Sequence, residues 1–247
     1  MINYRPTLSF SAPLVDGEDI IRGDETEAVD FLARLADGGP ALELGIGTGR
    51  IALPLAARGV RVDGIDFSEA MIGRLREKPG GEGIDVTVGN FVDVGVGGHY
   101  RLIYVVFNTF FNLLTQDEQV RCFENVAAHL AAGGVFVIEA YVPTFLHRLD
   151  ADQHVRAGAV EVDAVVLDVL RHDAARQMID ENHVRLTASG AAFAPVVQRY
   201  AWPAELDLMA RIAGLRLRER WGGWGDRPYE SSSERHVSVY ERIGLPR

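Results

Sequence analysis

The chain has 247 residues, of which 47% are hydrophobic and 24% charged, the balance of an ordinary globular protein. Its net charge of −10 at pH 7, with no offsetting run of Lys or Arg, argues against nucleic acid as a partner. One cysteine allows no intrachain disulfide, and no apolar run reaches the roughly 18 residues that a membrane-spanning helix needs. Because residues 1–10 show no signal-peptide pattern, we expect a cytoplasmic protein without a membrane contact.

Strand and helix patterns alternate over the first part of the chain. A helix is predicted over 24–39, where apolar residues recur at helical spacing before two glycines. Apolar segments then predict five strands: 41–45, 60–66, 84–89, 100–107 and 135–140. Helical patterns lie between them: 50–58, 68–78 and 115–134. Strands and helices joined by such short connections predict a parallel, doubly wound sheet.

The pattern changes after Pro143. Three segments alternate apolar and polar residues with period two and predict an antiparallel β insertion: 159–173, 176–188 and 193–202. A helix over 203–214 and strands over 215–221 and 235–242 follow. The predicted fold class is therefore α/β, with a mostly parallel seven-stranded sheet and an antiparallel insertion after the fifth strand.

This pattern predicts two parts. The core comprises residues 1–143 plus 202–247, and the insertion comprises residues 144–201. The apolar face of the insertion needs a cover, because an isolated sheet of few strands is not stable in water. The cover is either the core or a second copy of the chain, and the second alternative predicts a homodimer.

A glycine-rich loop follows the first predicted strand. Gly45, Gly47 and Gly49 stand two residues apart where the strand gives way to a helix. Glycine there lets the backbone approach a ligand, and the amides of the loop and of the next helix face an anion. The dinucleotide fingerprint has its third glycine one place later, where this chain has Arg50, and it does not require the acid Glu43. These two details favour a ligand that carries an amino acid group over a dinucleotide.

Two further landmarks end the next strands. Asp66 follows the loop by about twenty residues, and a carboxylate there can accept hydrogen bonds from both ribose hydroxyls. Asn90 and Phe91 follow the third strand, where an amide can bind the adenine amino group while an apolar ring covers the base. Asp66 fits NAD and an adenosyl ligand equally, whereas the Asn90-Phe91 pair fits the adenosyl ligand.

Taken together, these segments resemble the class I methyltransferases that use S-adenosylmethionine (SAM). The matching segments are ELGIGTGR, GIDFSEAMI, VGNFVDV, YVVFNTFFNL and LAAGGVFVIEAYVP. The resemblance implies SAM as cofactor and S-adenosylhomocysteine as product. It implies cofactor contacts at Glu43, Gly45, Gly47, Gly49, Asp66, Phe67, Met71, Asn90, Phe91 and Phe107. The family usually has Asp at the position of Asn90, which still offers an acceptor oxygen.

The layout also resembles a narrower group, the N-methyltransferases that act on nucleotide-linked amino sugars in antibiotic biosynthesis. They share the insertion after the fifth strand, and they carry a histidine near the amine where this chain has Asn112. The resemblance implies a small-molecule acceptor between the insertion and the ends of strands four and five. The candidate catalytic residues are Asn112, Tyr141 and His147, and the candidate substrate contacts are Tyr4, Asn108, Arg199 and Tyr200. No cluster with metal-ligand spacing is visible, so no metal is predicted.

Other functions stay open at this point. An oxygen nucleophile on a natural product is the second choice of acceptor. A nicotinamide-dependent oxidoreductase is a different class, which Glu43, Arg50 and the Asn90-Phe91 pair disfavour. A SAM-binding regulator without turnover is a third, and the absent histidine favours it mildly.

Overall fold

The computed structural model describes residues 25–93, 95–149 and 152–244. The described helices are α1 Thr26–Ala36, α2 Ala52–Ala57, α3 Glu69–Glu77, α4 Gln116–His129 and α5 Pro203–Ile212. The strands of the first part are β1 Ala41–Leu44, β2 Val62–Asp66, β3 Asp85–Val88, β4 Tyr100–Val105 and β5 Leu130–Tyr141. Those that follow are β6 Gln153–Val160, β7 Ala164–Asp173, β8 Met178–Thr187, β9 Gly190–Arg199, β10 Leu215–Trp221 and β11 Arg235–Arg242. Short 3-10 segments cover Gly81–Gly83, Thr109–Asn112 and Pro143–Arg148.

The larger sheet has seven strands in the order β10-β11-β5-β4-β1-β2-β3. Strands β1 to β5 pair in parallel, and β11 runs antiparallel to both of its neighbours. All four residues of β1 are buried, as the centre of a sheet covered on both faces requires. The predicted fold class is confirmed.

Two apolar clusters sandwich the sheet. One contains Phe110, Phe123 and Phe136 and continues to Leu170 and Ile179 of the smaller sheet. The other is built by α1, α2 and the opposite face of β1, β4 and β5. Among the helices within the described ranges, none combines the length and the apolar character of a membrane span.

Helix α4 begins as predicted and ends earlier. Thr115 and Glu118 form a capping box at its start, in which the Thr115 side chain accepts from the Glu118 amide. The helix ends at His129 rather than at the glycine pair, because Leu130 is already extended and begins β5. Gly133 adopts a φ of 70° within that strand. The glycines therefore bend the entry to β5, and the prediction that they end the helix was wrong.

The smaller sheet has four antiparallel strands in the order β6-β7-β8-β9. The sequence pattern predicts three strands, because the alternation of apolar and polar residues in 159–173 continues through a turn. The Glu161 amide donates to the Ala164 carbonyl at 2.9 Å and divides that segment into the end of β6 and the whole of β7. The additional strand lies at the edge of the sheet, and nearly all of its residues are exposed.

Candidate active site

The C-terminal edge of the larger sheet is formed by the ends of β1, β2, β4 and β5, and the glycine loop follows β1 there. Gly45, Gly47 and Gly49 have φ values of 73°, 54° and 78°, in the left-handed region that favours glycine. A Cβ at Gly45 would lie 2.5 Å from Cγ2 of Thr109, in the segment after β4. The loop is therefore pressed against the end of β4, and only a glycine fits at its first position.

Asp66 ties the loop to the end of β2. Its Oδ2 accepts a hydrogen bond from the Gly47 amide at 2.8 Å, and its Oδ1 accepts one from the Ser68 amide at 2.8 Å. Ser68 in turn caps α3, since its hydroxyl accepts from the Met71 amide at 3.3 Å. The carboxylate is buried and held in one orientation, as a group that positions two vicinal hydroxyls must be.

Glu43 lies beneath the loop and is fully enclosed. Its Oε2 accepts a hydrogen bond from the Tyr104 hydroxyl at 2.9 Å. The pKa of Glu43 is raised to about 8, because burial and, to a smaller extent, the charge of Asp66 outweigh the lowering effects of the Tyr104 bond and the charge of Arg50. The group therefore titrates close to neutral pH.

Arg50 covers the ring of Phe107. The guanidinium carbon lies 3.5 Å from the ring centroid, within the range of a cation–π contact. A nitrogen of the same side chain lies 3.6 Å from a carboxylate oxygen of Glu25. Phe107 was predicted to contact the cofactor, and in this structure Arg50 covers one face of its ring.

A left-handed turn joins the end of β4 to the end of β5. Phe107 and Asn108 have φ values of 55° and 64°. The Phe107 amide donates to Oε2 of the buried Glu139 at 2.6 Å, and Asn108 Oδ1 accepts from the Tyr141 amide at 2.7 Å. Sequence analysis missed Glu139, although an acid inside the apolar segment 135–140 is a usable signal. These bonds hold two unusual backbone conformations in place at the candidate site.

The predicted adenine contacts line the side of the edge toward β3. Met71 and Phe91 are buried in this structure, and Phe67 is 37% exposed. Asn90 is exposed, and its Oδ1 accepts from the Val92 amide at 3.0 Å, which closes a tight turn. Binding of adenine by Asn90 and Phe91 stays a prediction.

The candidate catalytic side chains lie where β5 meets the smaller sheet. Tyr141 donates to Oε1 of Gln198 at 3.2 Å, and its ring meets that of Phe111 edge-on at 5.0 Å. Oδ1 of Asn112 is buried and has no hydrogen-bond partner among the described residues. His147 lies in the segment Pro143–Arg148, but its side chain is outside the described part of the structure, as are Tyr4 and all of residues 1–24.

Arg199 and Tyr200, predicted to contact substrate, take part in a buried network between the two sheets. Arg199 donates to Oε1 of Gln119 at 2.6 Å and to Oε1 of Glu205 at 2.7 Å. The Tyr200 hydroxyl lies 3.0 Å from Nε2 of His172. These contacts give Arg199 a structural role joining β9 to α4 and α5, and its contact with substrate stays a prediction.

The smaller sheet brings together three titratable side chains whose spacing in the sequence does not predict a cluster. One ligand atom each from Asp168, Glu181 and His183 lies within 4.8 Å of the others. Asp168 already accepts from Nε of Arg156 at 2.9 Å and lies 2.7 Å from Nδ1 of His183. Both oxygens of Asp168 are therefore already in contact with a side chain, one with Arg156 and the other with His183. The three residues are a hydrogen-bonded cluster of charged side chains, and we assign no metal to them.

The sheet order and its C-terminal edge together define a class of protein. A parallel sheet with a glycine loop after β1 and a carboxylate at the end of β2 is built to hold a nucleoside with an attached anion. Residues 41–134 match a family model described as a methyltransferase domain. The chain belongs to the SAM-dependent methyltransferases, and the predicted cofactor, SAM, is confirmed.

Three relatives show how far the likeness extends. The CcbJ methyltransferase from Streptomyces caelestis is 38% identical, with a TM-score of 0.92 over 98% of this chain and 100% of that chain. The cypemycin N-terminal methyltransferase of a Streptomyces species is 28% identical over 211 residues, 85% of either chain. The dTDP-4-amino-2,3,4,6-tetradeoxy-D-glucose N,N-dimethyltransferase of Saccharopolyspora spinosa is 31% identical over 112 residues, 44% of this chain and 43% of that protein.

Proposed function

We propose that this methyltransferase acts on an amine nitrogen of a small molecule, and that its acceptor is a nucleotide-linked amino sugar. The names of two relatives support the nitrogen, because one methylates a peptide N-terminus and the other an amino sugar. The second of these also supports the nucleotide-linked sugar. The observation in this chain that carries the proposal is the buried Asn112 Oδ1, an acceptor oxygen without a donor in the segment that follows β4.

The reaction asks little of the protein beyond alignment. The nitrogen lone pair forms a bond to the methyl carbon while the carbon–sulfur bond breaks, and its electron pair stays on sulfur as S-adenosylhomocysteine. The amine must first release a proton, which costs about 4–5 kcal/mol at pH 7 for a group with the pKa of Lys. Correct placement of the two reactants supplies about 7–11 kcal/mol, so a strong base is not required.

Tyr141 would then position the acceptor and would not remove its proton. Burial and the nearby charge of Glu181 hold the pKa of the Tyr141 hydroxyl well above its usual range, so the group stays protonated. A protonated hydroxyl donates a hydrogen bond, as it does to Gln198 in this structure. Asn112 and Asn108 would supply acceptor oxygens on the other side of the nitrogen.

The test compares two acceptors that differ at one position. Purified protein is incubated with SAM and dTDP-4-amino-4,6-dideoxy-D-glucose, or with dTDP-6-deoxy-D-glucose, which has a hydroxyl in place of the amine. We expect S-adenosylhomocysteine and an N-methyl product, identified by mass and by its methyl NMR signal, from the first sugar alone. Methylation of the hydroxyl sugar would contradict the nitrogen, and failure of both sugars with SAM bound would contradict the sugar acceptor.

We also propose that the insertion, residues 144–201, covers the acceptor and pairs two copies of the chain. On the face of the smaller sheet away from Glu181, the exposed apolar side chains include Val155, Val160, Val169, Leu186 and Phe193. Strand β6 also leaves one edge of that sheet unpaired within the described residues. Light scattering at micromolar concentration should give twice the chain mass, and a monomer would contradict the dimer without touching the chemistry.

A further inference from the structure

One face of the smaller sheet looks toward the ends of β4 and β5. The strand register places Glu181 and His183 of β8 on the same face as Asp168 of β7 and Gln198 of β9. At its base this face carries Leu170 and Ile179, which are buried in the cluster that also holds Phe111. The Gln198 side chain accepts the hydrogen bond from Tyr141. The polar row therefore leads from the candidate catalytic tyrosine outward along the insertion.

The two carboxylates in this row, Asp168 and Glu181, differ in their hydrogen bonds. Asp168 is buried, and its two oxygens are bonded by Arg156 and His183. Glu181 is partly buried, and a carboxylate oxygen of it lies within 4.8 Å of ligand atoms of Asp168 and His183, but the structure shows no hydrogen bond or ion pair between Glu181 and another described residue. Its carboxylate is close enough to Tyr141 to raise the pKa of the tyrosine hydroxyl. Glu181 thus lies between Tyr141 and the Asp168 pair as a carboxylate without a hydrogen bond among the described residues, and the charges of His183 and Arg156 compensate it only in part.

A carboxylate that is partly withdrawn from water and makes no hydrogen bond is less favourable than a fully hydrated one. Burial raises the pKa of Glu181, and the charge of Asp168 raises it as well, while His183 and Arg156 lower it. A cation placed beside the group would offset this penalty. Because a carboxylate with free acceptor oxygens binds cationic groups well, the place of Glu181 on the face that leads through Gln198 to Tyr141 points to the methyl acceptor.

A second observation limits the chemistry of that ligand. Oδ1 of Asn112 is also an acceptor without a donor, and it belongs to a different element, the segment Thr109–Asn112 that packs against β9. Two acceptor groups, one on the core and one on the insertion, suit a ligand with several N–H or O–H donors. The net negative charge of Glu181 adds a requirement for a positive charge, which an ammonium group meets and a hydroxyl does not.

We propose that Glu181 selects the acceptor by pairing with its ammonium group, so that amines bind and equally shaped alcohols do not. The inference rests on the proposed function and names the residue that recognises the amine. Asp168, His183 and Arg156 hold each other in place and keep the neighbouring charge balanced. The pairing is ionic and forms no covalent bond. The ammonium group then releases one proton to water, and its lone pair attacks the methyl carbon while the carbon–sulfur bond breaks and its electron pair stays on sulfur.

The test uses the isosteric variant Glu181→Gln in the full-length protein. We expect its KM for an amine acceptor to rise about 10- to 100-fold, the value of one charge-assisted contact, with kcat and the Kd for S-adenosylhomocysteine unchanged. Its melting temperature should stay equal or rise, because the substitution removes an unpaired charge. A purely structural role would lower the melting temperature instead.

Glu161→Gln is the matched control. Glu161 is an exposed carboxylate of the same insertion, at the turn after β6, and it is paired with Arg185 at 2.7 Å. This variant should keep the KM, kcat and melting temperature of the parent protein. An equal rise of KM in both variants would indicate a general effect of insertion charge and would overturn the role of Glu181.

The outcomes separate this inference from the proposed function. If an amine without a nucleotide is methylated and Glu181→Gln raises its KM, the sugar acceptor fails and the role of Glu181 stands. An unchanged KM in Glu181→Gln, or a parent enzyme that methylates alcohols alone, overturns the role of Glu181. If no acceptor turns over, calorimetry with dTDP-4-amino-4,6-dideoxy-D-glucose and a simple peptide amine on the S-adenosylhomocysteine complex decides, and the absence of binding by both overturns it.

Discussion

The C-terminal edge of the larger sheet and the inner face of the smaller sheet treat polar groups in opposite ways. At the edge, the carboxylates of Glu43, Asp66 and Glu139 each accept a hydrogen bond from a neighbouring strand or loop. On the smaller sheet Glu181 makes no hydrogen bond with another described residue, and only the nearby charges of His183 and Arg156 compensate it. The protein itself completes the hydrogen bonds of the edge, whereas the proposed acceptor site keeps a carboxylate that is free to bind a ligand.

The difference also separates stability from selectivity. Bonds at the edge fix the glycine loop and the turn at Phe107 and Asn108, so their loss should lower the free energy of unfolding together with cofactor affinity. The unpaired Glu181 contributes nothing favourable to folding, so its removal should affect acceptor binding alone. The following substitutions test, for each polar group, whether it stabilises the fold or contributes to ligand binding.

The largest effect on stability is expected at Arg199. This residue lies in the smaller sheet, but its side chain is hydrogen-bonded within the protein, as the carboxylates at the C-terminal edge of the larger sheet are. In Arg199→Ala, Gln119 and Glu205 lose their shared donor inside the protein, which should lower the free energy of unfolding by about 3–5 kcal/mol. Urea denaturation followed by circular dichroism measures the change. If stability holds while KM for the acceptor rises, Arg199 is a substrate contact and not a structural one.

Arg216→Ala is the control for that measurement. Arg216 forms an ion pair with Glu241 at 2.7 Å, but its side chain is 62% exposed. An exposed pair of this kind contributes about 0–1 kcal/mol, so the denaturation midpoint should hardly move. A loss as large as that of Arg199→Ala would show that burial does not distinguish the two arginines.

The next effect concerns Glu43 and its dependence on pH. The folded pKa of about 8 lies above the ordinary value of 4.5, so the folded state binds more protons between these values. The stability that this group contributes is therefore complete below pH 4.5 and is lost as the pH rises toward 8. Glu43→Gln keeps an acceptor for Tyr104 and cannot ionise.

We expect Glu43→Gln to match the parent protein near pH 5 and to be more stable by about 3 kcal/mol near pH 8. Unfolding in urea across that range measures both slopes. A parent protein whose stability is flat between pH 5 and 8, or rises, would show that Glu43 ionises in the folded state as it does in water. The edge would then contain an unsatisfied charge like that of Glu181.

How far the sequence predicts this molecule depends on which contacts are local. The strands of the core, the loop at Gly45 and the carboxylate at Asp66 follow from patterns within about twenty residues of the chain, and the structure places them together. The end of α4 was predicted wrongly because a glycine pair suits both a helix end and a bent strand entry. The insertion was predicted with three strands because the alternation of apolar and polar residues continues unchanged through the turn between β6 and β7.

The acceptor side depends on contacts that no short segment contains. Glu181 becomes unpaired only because the register of β6, β7 and β8 brings Arg156 and His183 to Asp168 instead. Arg199 becomes structural only because α4 and α5 meet β9. A one-residue change of register would reverse both assignments, so residue type and spacing alone cannot supply them.

A third substitution removes the carboxylate that the edge depends on most. Asp66→Ala leaves the Gly47 and Ser68 amides without their acceptor and removes the predicted partner of the ribose hydroxyls. Calorimetry should show about a 100-fold weaker Kd for S-adenosylhomocysteine, or about 2.7 kcal/mol. Asp63→Ala, on the same strand but bonded to Tyr100 and Arg61, should leave that Kd unchanged. Equal affinities in all three proteins would remove Asp66 from the cofactor site.

The smallest effect is expected from a single methyl group at Gly45. Gly45→Ala forces a residue with a Cβ to a φ of 73° and places that atom 2.5 Å from Cγ2 of Thr109. The backbone conformation costs about 1 kcal/mol, and the contact adds to it, so cofactor affinity should fall about tenfold. Thr109→Ser removes Cγ2 and leaves the hydroxyl, and the double variant Gly45→Ala with Thr109→Ser should therefore regain part of the affinity.

If the double variant binds no better than Gly45→Ala, the loop is not pressed against β4, and the edge is less rigid than its hydrogen bonds indicate. Partial recovery would show that close packing, in addition to hydrogen bonding, holds the cofactor edge in shape before the cofactor binds.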